Sequence, residues 1–275
     1  MDNTEAFACF VPSARWGRSG IVRSRTCVVR CSGDLIPQSH AEVLSGIEKS
    51  IKVAMSDGMK LLEVQFPPTA TAAASAALNE TMDANRRHTR ELIRGFTMEY
   101  SGRLSVAFPD KGEAVLAQRS WRVDEGEDRF YISTIEAAPR DPNAELFFVL
   151  NPGFNVDEYI NLENFDDEKR TVVVINGELD RIRGGYYPRI FYPKLHKVAE
   201  RSLRKFVPIY FFKSYPNRGT LLRSYPGPWR LFYTSGQGEI TCLIESEERP
   251  SYQEMERILR KAADDERLSS YDDEM

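Results

Sequence analysis

Two polar segments of the 275-residue chain hold side chains of the types that bind ligands or protein partners. The first, Asn151-Pro152-Gly153, follows an apolar run, and the second extends from Asn176 to Tyr192. Amides and carboxylates orient polar ligands, and a guanidinium can hold a planar anion through two parallel hydrogen bonds. The candidate binding residues in these segments are Asn151, Gly153, Asn176, Glu178, Asp180, Arg181, Arg183, Tyr186, Tyr187, Arg189 and Tyr192.

Three interpretations of these segments are open on the sequence alone. Asn-Pro-Gly and Asn-Gly are turn sequences in which Asn and Gly adopt positive φ, which indicates a structural corner with arginines paired to local acids. Tyrosine and arginine carry much of the binding energy at protein interfaces, which indicates a partner surface. The third is an anion site at a strand-end crevice. An exposed display of the tyrosines would favour a partner, and a deep pocket lined by Asp180, Arg181 and Arg183 would favour a ligand.

Sequence signatures of catalysis are missing from the chain. It contains no Gly-x-Gly-x-x-Gly after a strand, no Gly-x-x-x-x-Gly-Lys-Ser/Thr, no His-Glu-x-x-His and no Gly-x-Ser-x-Gly. Its three histidines have no metal-binding partner at usable spacing, and its four cysteines show no paired spacing. We therefore expect a non-enzymatic protein with no catalytic residue, no metal and no cofactor.

Composition and charge limit the classes of partner. The chain is 41% hydrophobic and 28% charged, which is ordinary for a globular protein. Its formal net charge of -4 does not indicate a general nucleic-acid binder, so we expect no nucleic-acid partner. No apolar run approaches the roughly 20 residues needed to cross a bilayer, so we expect a soluble or peripherally attached protein.

The spacing of apolar residues predicts the elements that position the two segments. Helices are predicted over Ser39–Asp57, Asn79–Tyr100 with Asn79 as its cap, Glu113–Trp121, Lys194–Phe206 and Ser251–Ala263. Strands are predicted over Lys60–Phe66, Arg103–Phe108, Arg129–Glu136, Glu145–Leu150, Thr171–Asn176, Pro208–Lys213, Thr220–Ser224, Trp229–Thr234 and Glu239–Glu245. This order indicates an α/β fold: a three-layer, Rossmann-like and mostly parallel sheet with an antiparallel C-terminal edge hairpin.

The two candidate segments should meet at one edge of this sheet. The runs that end at Leu150 and Ile175 are apolar on both faces and are separated by enough residues for a crossover, so we expect neighbouring parallel strands. The carboxyl ends of such strands are where open α/β folds bind ligands. Residues that directly follow the two strands should therefore lie close together.

The segment from Asn176 to Tyr192 should then leave the sheet as a rigid, partly exposed corner. Its glycines let the backbone turn, and Asp180 is expected to fix Arg181 or Arg183. Prolines beside the tyrosines restrict the backbone, so the aromatic rings would be ordered before a partner binds.

The amino-terminal residues have the composition of an organellar transit peptide. From Ala6 to Gly33 there is no acidic residue, and five arginines alternate with serines and a threonine. A disordered basic tail that binds an acidic surface is the alternative. We therefore expect three regions: a transit peptide at residues 1–33, one α/β domain at 34–263 and a disordered acidic tail at 264–275.

The order of several short motifs resembles that of one known family. The motifs are Asp57-Gly58, Phe66-Pro67-Pro68, Asn151-Pro152-Gly153, Asn176-Gly-Glu-Leu-Asp180, Gly185-Tyr-Tyr-Pro188, Phe191-Tyr-Pro193 and Tyr225-Pro-Gly-Pro-Trp229. This order is similar to that of a domain of unknown function shared by plant, algal and cyanobacterial proteins, among them the Low PSII Accumulation assembly factors. A similar domain follows the kinase domain of some plastid adenylate kinases. The resemblance covers residues 34–263.

The resemblance implies a chloroplast protein of the stroma or the thylakoid surface, with no catalytic residue to carry over. It implies an assembly or accessory factor for photosystem II or another thylakoid complex. Its partner would be a photosystem II subunit or another assembly factor, and its thylakoid association would be peripheral. The alternative is an enzyme or sensor that binds a nucleotide or phosphometabolite in the strand-end crevice.

Overall fold

The computed structural model describes residues 36–67, 78–121 and 130–272, so the predicted transit peptide lies outside the described residues. The strands in these ranges are β1 (Leu61–Gln65), β2 (Leu104–Phe108), β3 (Phe130–Thr134), β4 (Leu146–Leu150), β5 (Thr171–Ile175), β6 (Val207–Tyr215), β7 (Gly219–Ser224), β8 (Trp229–Thr234) and β9 (Ile240–Ser246). The α-helices are α1 (His40–Ser56), α2 (Leu78–Thr97), α3 (Lys111–Trp121), α4 (Val156–Asn161), α5 (Asp180–Arg183), α6 (Pro193–Arg201) and α7 (Tyr252–Asp272). Short 3-10 segments cover Ala138–Arg140, Leu162–Phe165 and Leu203–Lys205.

The nine strands of the described ranges form one sheet in the order β3-β2-β4-β5-β1-β6-β7-β8-β9. The strands from β3 to β6 in this order are all parallel. Within this parallel part β4 and β5 are neighbours, with Leu150 opposite Ile175, which confirms the predicted adjacency. β6 to β9 are antiparallel, so the predicted fold class is confirmed and its antiparallel part spans four strands.

Alternating side chains of the central strands face two helical layers. Leu62 and Val64 of β1 pack in one core with α1, α2 and α3, and Leu61 packs in a second core with α4 and α6. Phe211 of β6 pairs with Gln65, which points to the same side as Leu61. Phe211 belongs to a third core with α7, so α7 covers the antiparallel part on the side of α4 and α6.

Most helices match the sequence predictions, but the start of α2, two short helices and the end of α7 differ. α1 is capped by the Ser39 hydroxyl, which accepts a hydrogen bond from the Glu42 amide, and it ends before Gly58 at φ +81. α2 begins at Leu78, so the prediction that Asn79 caps it is wrong. α4 and α5 were not predicted, because six and four residues are too few to show an apolar period; α4 is capped by Asn155. None of the described helices is both long and apolar enough to span a membrane.

The C-terminal helix is longer than predicted. The apolar spacing stops near Ala263, and the acidic residues from Asp264 were expected to be disordered, yet α7 continues to Asp272. Glu266 anchors this extension to the sheet, accepting hydrogen bonds from the Tyr233 hydroxyl at 2.5 Å and the Gly236 amide at 2.6 Å. The expected tail is therefore helical up to Asp272, and the anchor is polar, which apolar periodicity does not detect.

Replacing Glu266 with alanine should loosen the end of α7. The amides of residues 264–272 should exchange with solvent faster, while the first turns keep the protection that Met255 and Leu259 give by burial. Hydrogen-exchange mass spectrometry checks this, with a variant of an exposed neighbour, Asp265→Ala, as control. Equal exchange in both variants would contradict the anchor.

The contribution of Glu266 to stability should depend on pH. Neighbouring donors lower the pKa of Glu266, so its stabilising effect is fully present above the ordinary carboxyl pKa and is lost as pH falls below that value.

Candidate functional site

A cavity of about 210 Å³ lies at the carboxyl ends of β1, β4 and β5. β1 leads to α2 on one face of the sheet, whereas β4 and β5 lead to α4 and α6 on the opposite face. Neighbouring strands whose connections diverge in this way leave a crevice at the sheet edge, the usual ligand position in open α/β folds. The cavity is lined by Gln65, Phe66, Thr81, Met82, Asn85, Asn151, Pro152, Gly153, Phe154, Tyr159, Asn176, Glu178 and Arg181.

The residues predicted from the sequence as binding residues fall into three separate groups. Those that line the cavity are Asn151, Gly153, Asn176, Glu178 and Arg181. Those that belong to a charge cluster beneath the corner are Asp180 and Arg183. Those that lie in the segment 184–193, here called the aromatic corner, are Tyr186, Tyr187, Arg189 and Tyr192. The predicted site is thus three neighbouring features with different chemistry.

Three asparagines join the strand ends to α2. Asn151 and Asn176 both have positive φ, at 45° and 50°, as expected for asparagines in turns. The Asn85 amide nitrogen donates to the Asn151 side-chain oxygen at 2.8 Å, and the Asn176 amide nitrogen donates to the Asn85 oxygen at 2.9 Å. The Asn176 oxygen accepts from the Phe66 backbone amide at 2.9 Å. The side-chain amides of Asn151 and Asn176 are therefore used in holding the fold together, and Asn85, which no sequence motif indicated, is their common partner.

The loop after β4 contains two backbone amides that converge on one carboxylate. Glu158 accepts hydrogen bonds from the Gly153 amide at 2.7 Å and the Phe154 amide at 2.9 Å. Burial raises the pKa of Glu158, and these hydrogen bonds oppose the rise. Gly153 has φ +119, and a Cβ there would overlap the Tyr159 hydroxyl, so glycine is required. Paired amides of this kind can hold an anion, and here the protein's own Glu158 takes that place.

At the cavity wall, Glu178 and Arg181 form an ion pair with each other. Both side chains are more than 40% exposed, so the pair adds little to stability and is screened by salt. The Arg181 guanidinium also lies 5.8 Å from the centre of the Tyr186 ring, a cation–π distance. Arg181 therefore connects the cavity to the aromatic corner.

A cluster of two acids and two arginines lies beneath the corner. Asp180 was expected to fix Arg181 or Arg183, but its main partner is Arg249, which binds both carboxylate oxygens, one of them at 2.6 Å. Arg183 lies 3.5 Å from Asp180 and donates to the buried Glu63 of β1 at 2.6 Å. This ties the corner to β1 and to Arg249 in the loop between β9 and α7, through partners that are distant in sequence.

The electrostatics of this cluster follow from burial. Burial raises the pKa of Glu63, and the guanidinium of Arg183 opposes the rise. The Arg249 guanidinium packs on the rings of Phe211 at 4.3 Å and Trp229 at 5.0 Å, which fixes it beside Asp180. The sequence contains a signal for Glu63, which is a charged residue between the apolar residues Leu62 and Val64 of β1, but none for Arg249.

The aromatic corner has a packed base and an exposed tip. The half-buried Tyr187 ring contacts the rings of Tyr159, Tyr186 and Tyr192, with centroids 5.0–6.0 Å apart. The tip comprises Tyr186, Ile190 and Phe191, with exposed fractions of 70%, 83% and 76%. Ile190 and Phe191 were not predicted, because apolar residues are expected to be buried. Only Tyr186 of the three predicted tyrosines is largely exposed.

Hydrogen bonds hold the corner in this shape. The Tyr186 amide donates to the Arg181 carbonyl at 3.0 Å, and the Tyr192 amide donates to the Pro188 carbonyl at 3.1 Å. The His196 ring donates to the Tyr187 carbonyl at 2.6 Å. The corner is therefore ordered by contacts inside the chain.

These features define an α/β protein of the doubly wound class, with a neutral strand-end cavity and an exposed aromatic corner beside it. The chain belongs to the family described as Domain of unknown function (DUF1995), whose model matches residues 37–257. The match agrees with the family resemblance of the motifs at the level of the domain. No curated protein matches the chain. Among the described residues, no three acidic, histidine or cysteine side chains converge as metal ligands.

Proposed function

We propose that this protein is a non-enzymatic accessory factor that binds a protein partner through the aromatic corner. The observation that carries this proposal is the exposure of Ile190 and Phe191, at 83% and 76%, beside Tyr186. Large apolar side chains that stay exposed on a fixed turn indicate an interaction site. Aromatic residues are also enriched among those that dominate binding energy at interfaces.

The order of the corner supports the proposal. Its backbone is held by internal hydrogen bonds and by Pro188 and Pro193. A surface that is already ordered loses less conformational entropy when a partner binds, so more of the contact energy appears as affinity.

The alternative is an enzyme or sensor that binds a nucleotide or phosphometabolite in the strand-end cavity. The position of the cavity favours it, but the side chains give it less support. Arg181, the one arginine among the residues that line the cavity, is paired with Glu178. The two converging loop amides are occupied by Glu158. A phosphate would have to displace these carboxylates, so the partner surface is preferred.

The proposed location is the chloroplast, in the stroma or at the thylakoid surface, and the proposed partner is a photosystem II subunit or an assembly factor. The acid-free, arginine- and serine-rich segment from Ala6 to Gly33 supports import into an organelle. The motif order that resembles the Low PSII Accumulation factors supports the plastid and the assembly role.

A triple variant of the corner tip, Tyr186→Ala, Ile190→Ala and Phe191→Ala, tests the proposed function. Because these side chains are exposed, stability should change by no more than about 0.5 kcal/mol per site. Partner recovery from chloroplast extracts, separated into thylakoid and stroma, should fall about tenfold or more if the tip is an interface hot spot. Tyr187 is kept because its ring packs in the base.

The matched control replaces two exposed apolar residues away from the corner, Met98→Ala and Leu116→Ala, and should leave capture unchanged. If the folded tip variant recovers every partner of the wild type, while the wild type binds or turns over a phosphorylated metabolite, the ligand-site alternative is correct.

A further inference from the structure

We infer that the strand-end cavity is a socket for an aromatic side chain of the protein partner. This inference rests on the proposed partner binding at the aromatic corner, and it adds a second, deeper contact with a defined ligand chemistry. The socket comprises the cavity between β1, β4, β5 and the first turn of α2.

The cavity wall contains five apolar or aromatic side chains beside its polar ones. The apolar wall residues are Phe66, Met82, Pro152, Phe154 and Tyr159. Phe66 and Tyr159 are buried, and the Tyr159 hydroxyl is used by a hydrogen bond to the Gly177 carbonyl at 2.9 Å. An apolar cavity of about 150 Å³ suffices to bind benzene. The 210 Å³ here is therefore large enough for a phenyl, phenol or indole group.

The polar groups of the cavity favour a neutral occupant. The amides of Asn85, Asn151 and Asn176 are bonded to one another, and Glu178 neutralises Arg181. Among the residues that line the cavity, an anion would find no free charged donor and a cation no free carboxylate, because Arg181 and Glu178 are paired with each other. The face of an aromatic ring, by contrast, is attracted to a guanidinium, as the Tyr186 ring already is on Arg181.

The mouth of the cavity is continuous with the proposed partner surface. Phe154 forms part of the wall and is still 50% exposed. Arg181 forms another part and carries the Tyr186 ring of the corner tip. One partner segment lying on Tyr186 can therefore insert a ring beside Phe154. Aromatic anchors in pockets at the centre of an interface are a common source of affinity.

The first arm of the test uses free indole with the full chain, and inorganic phosphate as the competing probe. Titration followed by NMR should show saturable indole binding, with shifts at Phe66, Met82 and Phe154, and no saturable shift with phosphate. Thr81→Phe places a phenyl group at the α2 wall and should weaken indole binding about tenfold or more, since a close-packed site cannot hold both rings. Thr81→Ser should bind indole as the wild type does, and thermal melting confirms that each variant is folded.

The second arm measures partner capture from thylakoid extracts. Thr81→Phe should reduce capture, Thr81→Ser should not, and excess indole should displace the partner from the wild type. The corner-tip variant should still bind indole while losing the partner, so the socket and the proposed function can fail separately. Absence of saturable indole binding overturns the socket even where corner variants lose the partner. The socket is also overturned if Thr81→Phe abolishes indole binding but leaves partner capture unchanged. The cavity would then be assigned to a small aromatic molecule.

Discussion

Replacing Glu63 with alanine is expected to lower the free energy of unfolding by about 3 kcal/mol, near the lower end for breaking a buried ion pair. Glu63 lies inside β1 with its side chain 1% exposed, and its carboxylate accepts a hydrogen bond from Arg183 at 2.6 Å. Without Glu63, the remaining partners of the Arg183 guanidinium in the described part of the chain are the Phe206 carbonyl at 3.0 Å and the more distant Asp180. Partial exposure of Arg183 places the loss at the lower end of the range.

Removing both charges together should cost much less. The double variant Glu63→Leu with Arg183→Met leaves no unpaired ion, and apolar replacement of a buried pair is often neutral. Asp180 keeps its bond to Arg249 in that variant, so the cluster remains neutral beneath the corner. Urea unfolding followed by circular dichroism gives the free energies of both variants and the wild type.

The single variant should also loosen the aromatic corner. Arg183 connects the corner to β1, so faster hydrogen exchange is expected in residues 184–193 of the Glu63→Ala protein. Equal stability of the single and double variants would contradict the ion pair as the cause. A loss well below about 1 kcal/mol in the single variant would mean that the pair does not hold the corner in place.

Local sequence pattern predicted the fold class, the adjacency of β4 and β5, and the turns at their ends. The apolar runs of β4 and β5 predicted neighbouring parallel strands, which Leu150 opposite Ile175 confirms. Asparagines directly after those strands indicated turns, and both have positive φ. These inferences succeed because burial on both faces of a strand and the conformational freedom of asparagine are properties of a few adjacent residues.

Local sequence pattern could not predict contacts between residues that are far apart in the sequence. Arg249 pairs with Asp180 across 69 residues, and Arg183 pairs with Glu63 across 120. A charged residue in a sequence does not specify which of many opposite charges the fold will bring near it. The exposure of Ile190 could not be predicted for a similar reason. Whether an apolar side chain is covered depends on its packing against distant parts of the chain, which local spacing does not encode.

The second large effect is expected at Asn85, which holds the cavity wall together. Asn85 is buried. Its amide nitrogen donates a hydrogen bond to the Asn151 oxygen, and its oxygen accepts one from the Asn176 amide nitrogen. Asn85→Ala leaves the Asn151 oxygen and one Asn176 N–H without their partner. A buried group left unpaired costs about 1–3 kcal/mol, and water can reach the half-buried Asn176, so a total loss of about 2–4 kcal/mol is expected. The exposed Asn143→Ala is the control and should be neutral.

The isosteric change Asn85→Asp separates hydrogen bonding from volume. The ionised carboxylate of this variant would still accept a hydrogen bond from the Asn176 amide. Its other oxygen would lie against the Asn151 oxygen with no hydrogen between them, which is a repulsive contact. The pKa of the introduced carboxyl should therefore be raised in the folded state, so the folded protein binds a proton more tightly than the unfolded chain. By linkage, the stability of this variant relative to wild type should improve as pH falls through the raised pKa towards the ordinary value. Urea unfolding across that pH range measures the difference, and a pH-independent difference would mean that the Asn151 contact does not control the cavity wall.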